Sequence, residues 1–229
     1  MNYRDPKTTI GNVVAMYPKT TSILTAYGID YCCGGHRFLQ EVLQEEQINA
    51  QELYQALDSF LAQAVISQDG ENFLNMTSGQ LSGYIEDKHH TYLREQLPKI
   101  AELLATIMRV HGSKHPELFE VYRLFGSLKS DLEQHLLKEE QLLFPALETT
   151  QTEAIQKLSD TIIQEHEHAG SVLLQLRHET NHFTVPQDGC NTYRRAYELL
   201  ADLEADLHEH IHLENNILLA AYDTRSQAH

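Results

Sequence analysis

With 229 residues and 41% hydrophobic side chains, the chain can form one large domain or a small one joined to a medium one, and it is too apolar to be disordered. Seventeen lysines and arginines against 33 acidic residues leave a formal charge of −16, which repels phosphate backbones and anionic lipid, so neither nucleic acid nor membrane is an expected partner. No run approaches the ~18 apolar residues of a membrane span, the first residues lack the apolar centre of a signal peptide, and three cysteines make no disulfide framework. A reducing, cytoplasmic setting is therefore expected.

Glycine and proline are sparse, at 11 and 6, and the apolar periodicity is helical, which predicts an all-α protein. In chain order, Thr8 or Thr9 caps a helix running to Met16, and Pro18 opens a second that ends near Gly28. The loop Asp30-Tyr31-Cys32-Cys33-Gly34-Gly35 follows, its paired glycines suited to positive φ. Helical patterns resume over 38–47 and 50–66. Polar Ser67 to Asn72 reads as a domain boundary, giving a small helical domain over 1–66 and a second over 73–229. In the second domain four long helical patterns are separated by breaks at His111–Pro116, Thr149–Thr152 and Thr184–Gly189. Short connections of this kind predict an up-down-up-down four-helix bundle.

The 14 histidines need an explanation. In three- and four-residue steps, the four apolar stripes are His90, Leu93, Leu97, Ala101 and Leu104; Tyr122, Phe125, Leu128, Leu132, His135, Glu139 and Leu142; Ile155, Leu158, Ile162, His166, Ala169, Leu173 and Leu176; and Tyr193, Ala196, Leu200, Leu203, Leu207, His210, Glu214, Ile217 and Ala221. Each stripe holds one histidine, and two of them add a glutamate one turn later. A single core histidine is unremarkable, but a buried, unpaired glutamate is costly.

Level residues in neighbouring antiparallel helices are equidistant from the turn that joins them. The midpoints between His90 and His135, His135 and His166, and His166 and His210 all fall inside breaks, which predicts one layer of ligands. Four imidazoles and two carboxylates suit a pair of first-row metal ions, the carboxylates bridging and two imidazoles serving each ion. Nitrogen and oxygen donors without thiolate fit iron or manganese, and zinc less specifically. Metal ligands are thus expected at His90, His135, Glu139, His166, His210 and Glu214. His89 and His212 point away from those stripes and read as surface; His168 and His208, two residues from His166 and His210, also face elsewhere. Asp131, one turn before His135, is the better choice for orienting a ligand, and Glu165 the weaker.

Two readings stand for Cys32 and Cys33: small core residues, or a reactive or transiently ligating pair. Adjacent cysteines diverge, so the pair is not expected to chelate one ion. Gly34 and Gly35 leave the backbone open to a partner's approach.

Tyr31-Cys32-Cys33-Gly34-Gly35, Arg94-Glu95-Gln96-Leu97-Pro98, Lys138-Glu139-Glu140-Gln141 with Leu143-Phe144-Pro145, Glu165-His166, and His210-Ile211-His212-Leu213-Glu214-Asn215-Asn216 together resemble the RIC-type proteins for repair of iron centres, the ScdA/YtfE group. The resemblance spans nearly the whole chain. It implies a hemerythrin-like bundle, two non-haem iron ions joined by an oxo bridge on the six residues above, and a homodimer. It further implies repair, by iron donation, of iron–sulfur proteins damaged by oxidative or nitrosative stress, with Cys32 and Cys33 transferring iron or electrons. Oxygen-carrying hemerythrin has a second histidine one turn after the first on its third helix, where this chain has Gly170, and its fourth-helix acid comes five residues after the histidine rather than four. These departures argue against a dedicated O₂ carrier. A di-iron NO reductase or peroxidase, and an O₂ or redox sensor, are the alternatives, with NO or O₂ at the open metal positions.

Overall fold

A computed structural model describes residues 3–64, 73–149 and 152–223. The expected boundary at Ser67–Asn72 lies outside the described residues, as do Thr150 and Gln151 of the second break and the terminal His229. Among the described residues no β-strand forms; an isolated bridge joins Thr9 and Phe38. The chain divides into two compact units, Ser82–Leu207, and Met1–Leu81 with His208–His229.

The longer continuous unit is the helical bundle. Its helices are α6 (Thr91–His111), α7 (Glu117–Lys138), the short α8 (Phe144–Leu147) and α9 (Thr152–Glu179), with α10 (Asn191–Leu213) up to Leu207. Leu97, Ile100 and Leu104 of α6, Val121, Phe125 and Leu132 of α7, Leu173 and Leu176 of α9, and Leu200 and Leu203 of α10 share one core. At ~25 cal/mol per Å², this apolar burial is what holds the helices together. The stripes expected from sequence supply most of that core, but Tyr122 and Leu142 are exposed. Val121 and Leu143 are buried in their place. Thr180 ends α9: its hydroxyl donates to the Leu176 carbonyl and accepts from the Phe183 N–H.

The other unit begins with α1 (Ile10–Met16), α2 (Thr21–Ala26), α3 (Leu39–Glu45), α4 (Ala50–Ala64) and α5 (Ser78–Ile85) up to Leu81. Thr9 caps α1 by accepting from the Asn12 N–H at 3.2 Å. A 3₁₀ turn over Pro18–Thr20 leads into α2, and Gly28, at φ +75°, ends that segment in the left-handed region. Ile10, Val13, Leu24, Leu39, Leu53 and Leu57 form its core, joined by Ile211 from the end of α10.

α10 therefore serves two cores in succession. Leu200, Leu203 and Leu207 belong to the bundle core and Ile211 to the N-terminal one.

Candidate metal centre

Within the bundle three histidines converge on one glutamate. Glu139 is 0% exposed, and its Oε1 lies 3.2 Å from His135 Nε2 and 3.9 Å from His166 Nε2. Its Oε2 lies 3.4 Å from His90 Nε2. The two oxygens of a single buried carboxylate thus face different imidazoles. His135 and His166 bring their Nε2 atoms within 3.0 Å of each other.

The far sides of the rings decide what those Nε2 atoms are. His90 Nδ1 is 2.7 Å from Glu140 Oε1, and His135 Nδ1 is 2.9 Å from Glu165 Oε2. A carboxylate on Nδ1 selects the Nδ1–H tautomer, leaving the Nε2 lone pair to face inward. Lone pairs then point toward Glu139 from His90 and His135, so nitrogen and oxygen donors converge where a cation can bind. The residues present fit a metal on that ground: hard and intermediate nitrogen and oxygen donors, with no thiolate among them.

Glu140 and Glu165 are themselves anchored. Arg94 donates to both Glu140 oxygens at 2.7 Å. Burial pulls the Glu140 carboxyl up, but hydrogen bonds from Arg94 and His90 carry it below its ordinary value. Lys138 pairs with Glu165. The His135 hydrogen bond first, opposed by burial and aided by Lys138, holds Glu165 down to about 2.

In the N-terminal unit, His210 and Glu214 stand one turn apart at the end of α10, both buried, with His210 Nε2 3.2 Å from Glu214 Oε2. The spacing and separation repeat those of His135 and Glu139. The same stretch of helix carries the cysteine loop. Asn216 Nδ2 donates to the Tyr31 carbonyl at 3.2 Å and to the Cys32 carbonyl at 3.1 Å, and His212 Nδ1 approaches the Tyr31 carbonyl at 3.4 Å. The Tyr31 ring meets His208 and His212 edge-on. A Cβ on Gly35 would stand 2.3 Å from Asn216 Oδ1, and one on Gly11 would stand 2.6 Å from it. Neither Gly34 nor Gly35 has positive φ. The glycine at 35 makes room for Asn216 of the same chain, where a left-handed turn was expected.

Three short π-helical segments touch these residues: Glu86–His90 ends at His90, Glu139–Leu143 begins at Glu139, and Glu214–Leu218 begins at Glu214. In each the hydrogen bond runs i→i+5: Thr91 N–H to Glu86, Phe144 N–H to Glu139, Leu219 N–H to Glu214. Such bulges concentrate at functional sites. Pro145 supplies a local cause for the second: it has no N–H for the Gln141 carbonyl, so a regular α-turn cannot close there.

The structure also corrects three sequence expectations. His89 is buried, its Nδ1 2.9 Å from Asp206. His212 is buried as well, and burial pushes its pKa down to about 4. Asp131 does not orient His135; it is exposed beside His168 at 3.7 Å, and Glu165 holds His135 instead. Glu140, which sequence reasoning missed, was detectable only as a second acid next to a buried one.

The family model for the Hemerythrin HHE cation binding domain matches residues 84–222, more than half the chain. The chain belongs to that family. The family's cation-binding description agrees with the donor set gathered around Glu139. A second family model, ScdA_N, a domain of unknown function (DUF542), matches residues 6–61. The hemerythrin-type chain is also similar to curated proteins over nearly its full length. It is 28% identical over 213 residues to the iron-sulfur cluster repair protein ScdA of Staphylococcus haemolyticus, covering 91% of this chain and 95% of that one. It is 30% identical over 218 residues to the iron-sulfur cluster repair protein YtfE of Escherichia coli O17:K52:H18, and 31% identical over 221 residues to that of Musicola paradisiaca, covering in each case 95% of this chain and 96% of the relative. Among the described residues no helix is long and apolar enough to cross a membrane.

Proposed function

We propose that this protein repairs iron–sulfur clusters damaged by oxidants or nitric oxide, holding two iron ions in its bundle and giving iron to the damaged cluster. The observation that carries the reading is Glu139, whose two oxygens face separate imidazoles in a buried setting. This supports a reading in which the carboxylate would bridge two ions, one oxygen to each. His135 and His166 would hold the ion at Oε1, and His90 the ion at Oε2.

His210 and Glu214 complete the set, Glu214 as the second bridge. Supporting this, they continue the inward stripe of α10 beyond Leu203 and Leu207 in steps of three and four, and they repeat the His135–Glu139 spacing. The printed names of the relatives supply the class of client, iron–sulfur proteins.

Iron is the cargo, and the chain's own residues do the holding. Glu140 and Glu165 keep His90 and His135 in the tautomer that offers Nε2, and the apolar core beneath excludes water. In the proposed division of labour, residues 73–229 form the iron-holding bundle. Residues 1–66 form the domain whose Cys32 and Cys33 receive iron or electrons on the way to the client, in the cytoplasm. Iron-loaded protein mixed anaerobically with a nitric-oxide-damaged [4Fe–4S] dehydratase tests the reading. Recovered dehydratase activity matched by iron lost from the bundle is expected. No recovery, with the iron retained, overturns donation.

A further inference from the structure

The cysteine loop is built around one carboxylate. Asp30 Oδ1 accepts from the backbone N–H groups of Cys32 and Cys33 at 3.0 Å each and from the Cys32 thiol at 3.1 Å. Oδ2 accepts from the Gly34 N–H at 3.0 Å. A Cβ on Gly34 would stand 2.8 Å from the Asp30 carbonyl oxygen, so the loop closes only around glycine. Asn216 holds the Tyr31 and Cys32 carbonyls from the other side. With its amides and carbonyls both fixed, the loop has little freedom to splay its side chains.

The result contradicts the ordinary behaviour of adjacent cysteines. The two sulfurs converge, with Sγ atoms 4.0 Å apart. A disulfide needs ~2.05 Å, about half that separation. Thiolates bound to one ion at ~2.3 Å and separated by 4.0 Å subtend about 120°, close to the angle of a four-coordinate site. The donor atoms of Asp30, Cys32 and Cys33 all lie within 4.8 Å of one another. Cys32 is buried, while Cys33 is partly exposed and Asp30 exposed, so the cluster opens to solvent on one side.

We propose that Asp30, Cys32 and Cys33 form a mononuclear site for one thiophilic divalent cation of the iron(II) or zinc(II) class, with two thiolates and one carboxylate oxygen as ligands and a fourth position open. Binding releases two protons, one from each thiol, and leaves the oxidation state of the ion unchanged. Two thiolates select against magnesium and calcium. The site rests on the loop's own geometry and stands whether or not the bundle donates iron.

Cadmium(II) titration of the full-length, iron-loaded protein carrying Cys190→Ser tests it, read by thiolate-to-cadmium charge-transfer absorption alongside metal analysis. One equivalent of cadmium with the charge-transfer band is expected. Cys33→Ser and Cys32→Ala should each abolish the band, and Asp30→Asn should weaken binding at least tenfold, all three keeping the helical circular dichroism of the parent. Three results overturn the proposal: no band at excess cadmium, a band that survives loss of either cysteine, or two equivalents bound one per thiol. Iron retained in the bundle is measured in the same samples. Its loss with the band intact counts against the bundle reading alone.

Discussion

Glu165→Gln isolates what a carboxylate behind His135, a proposed metal ligand, contributes. Glu165 accepts from His135 Nδ1 at 2.9 Å and pairs with Lys138. Replacing a partner of this kind lowers metal affinity 10–100-fold, or roughly 1.4–2.8 kcal/mol. The amide keeps a carbonyl oxygen able to accept from Nδ1, so the contact survives without its charge, and charge-assisted bonds are about twice as strong as neutral ones. The Glu165 side chain is 34% exposed, and solvent screens what remains. Both arguments place the loss near tenfold for Gln and toward hundredfold for Glu165→Ala. Chelator competition for bundle iron at pH 7 measures it, with urea unfolding of the metal-free protein as control. That control should move by less than about 1 kcal/mol, because the pair is half at the surface. The depressed Glu165 carboxyl adds a pH signature. Its contribution to the metal-free protein is fully present above the unfolded value near 4.3 and is lost as pH falls toward about 2, so Glu165→Gln should flatten that acid limb. Unchanged iron affinity in both variants would refute the orienting role. A loss in Glu165→Gln as large as in His135→Ala would show that the charge does more than orient.

Two other outcomes follow from single contacts and a third from metal binding. Gly35→Ala drives a methyl group into Asn216, so alkylation of the buried Cys32 should quicken more than tenfold in a Cys190→Ser background. Adding Asn216→Ala makes room and should reverse part of the gain; simple additivity would sink the steric account. Arg177 donates through Nε to Glu204 Oε1 at 2.9 Å and pairs through its terminal nitrogen with Oε2, while Glu204 is almost fully buried. Arg177→Met should therefore cost about 3 kcal/mol in urea unfolding, much of it regained in Arg177→Met/Glu204→Met; under 1 kcal/mol would mean that the carboxylate finds water. Stripping the bundle metal should lower the melting temperature, by an amount equivalent to about 4 kcal/mol when free metal had stood a thousandfold above its dissociation constant. An unchanged melting curve would mean that the metal does not bind the folded state preferentially.

The bundle was legible because each long helix buries a single apolar stripe, and a stripe at period 3.6 is written directly in residue order. The same logic explains where reading failed. His212 reads as surface in sequence because it leaves the stripe of Leu203, Leu207 and His210. At its end, however, α10 is covered on another face by Tyr31 and the cysteine loop, and a stripe argument assumes one buried face. His89 failed in the same way, since Asp206, 117 residues on, meets it from α10. Sequence favours Asp131 over Glu165 because Asp131 lies one turn from His135 on the same helix, whereas the real partner comes from α9 across the bundle.

Leu142 shows a different limit, and it bears on the site itself. Counting three residues on from Glu139 assumes an α-turn, but the turn there is π, and Leu143 goes inward instead. Periodicity is least reliable where the backbone departs from it, and the departures fall at Glu139, His90 and Glu214. A wide turn has poorer packing and persists only where something else stabilises it. Pro145 accounts for the segment at Glu139 through the chain itself, and Asn216, inside the segment at Glu214, is fixed by its bonds to the Tyr31 and Cys32 carbonyls. The backbone irregularity at Glu214 is thus tied to the position of the cysteine loop, and disturbing either one should disturb the other.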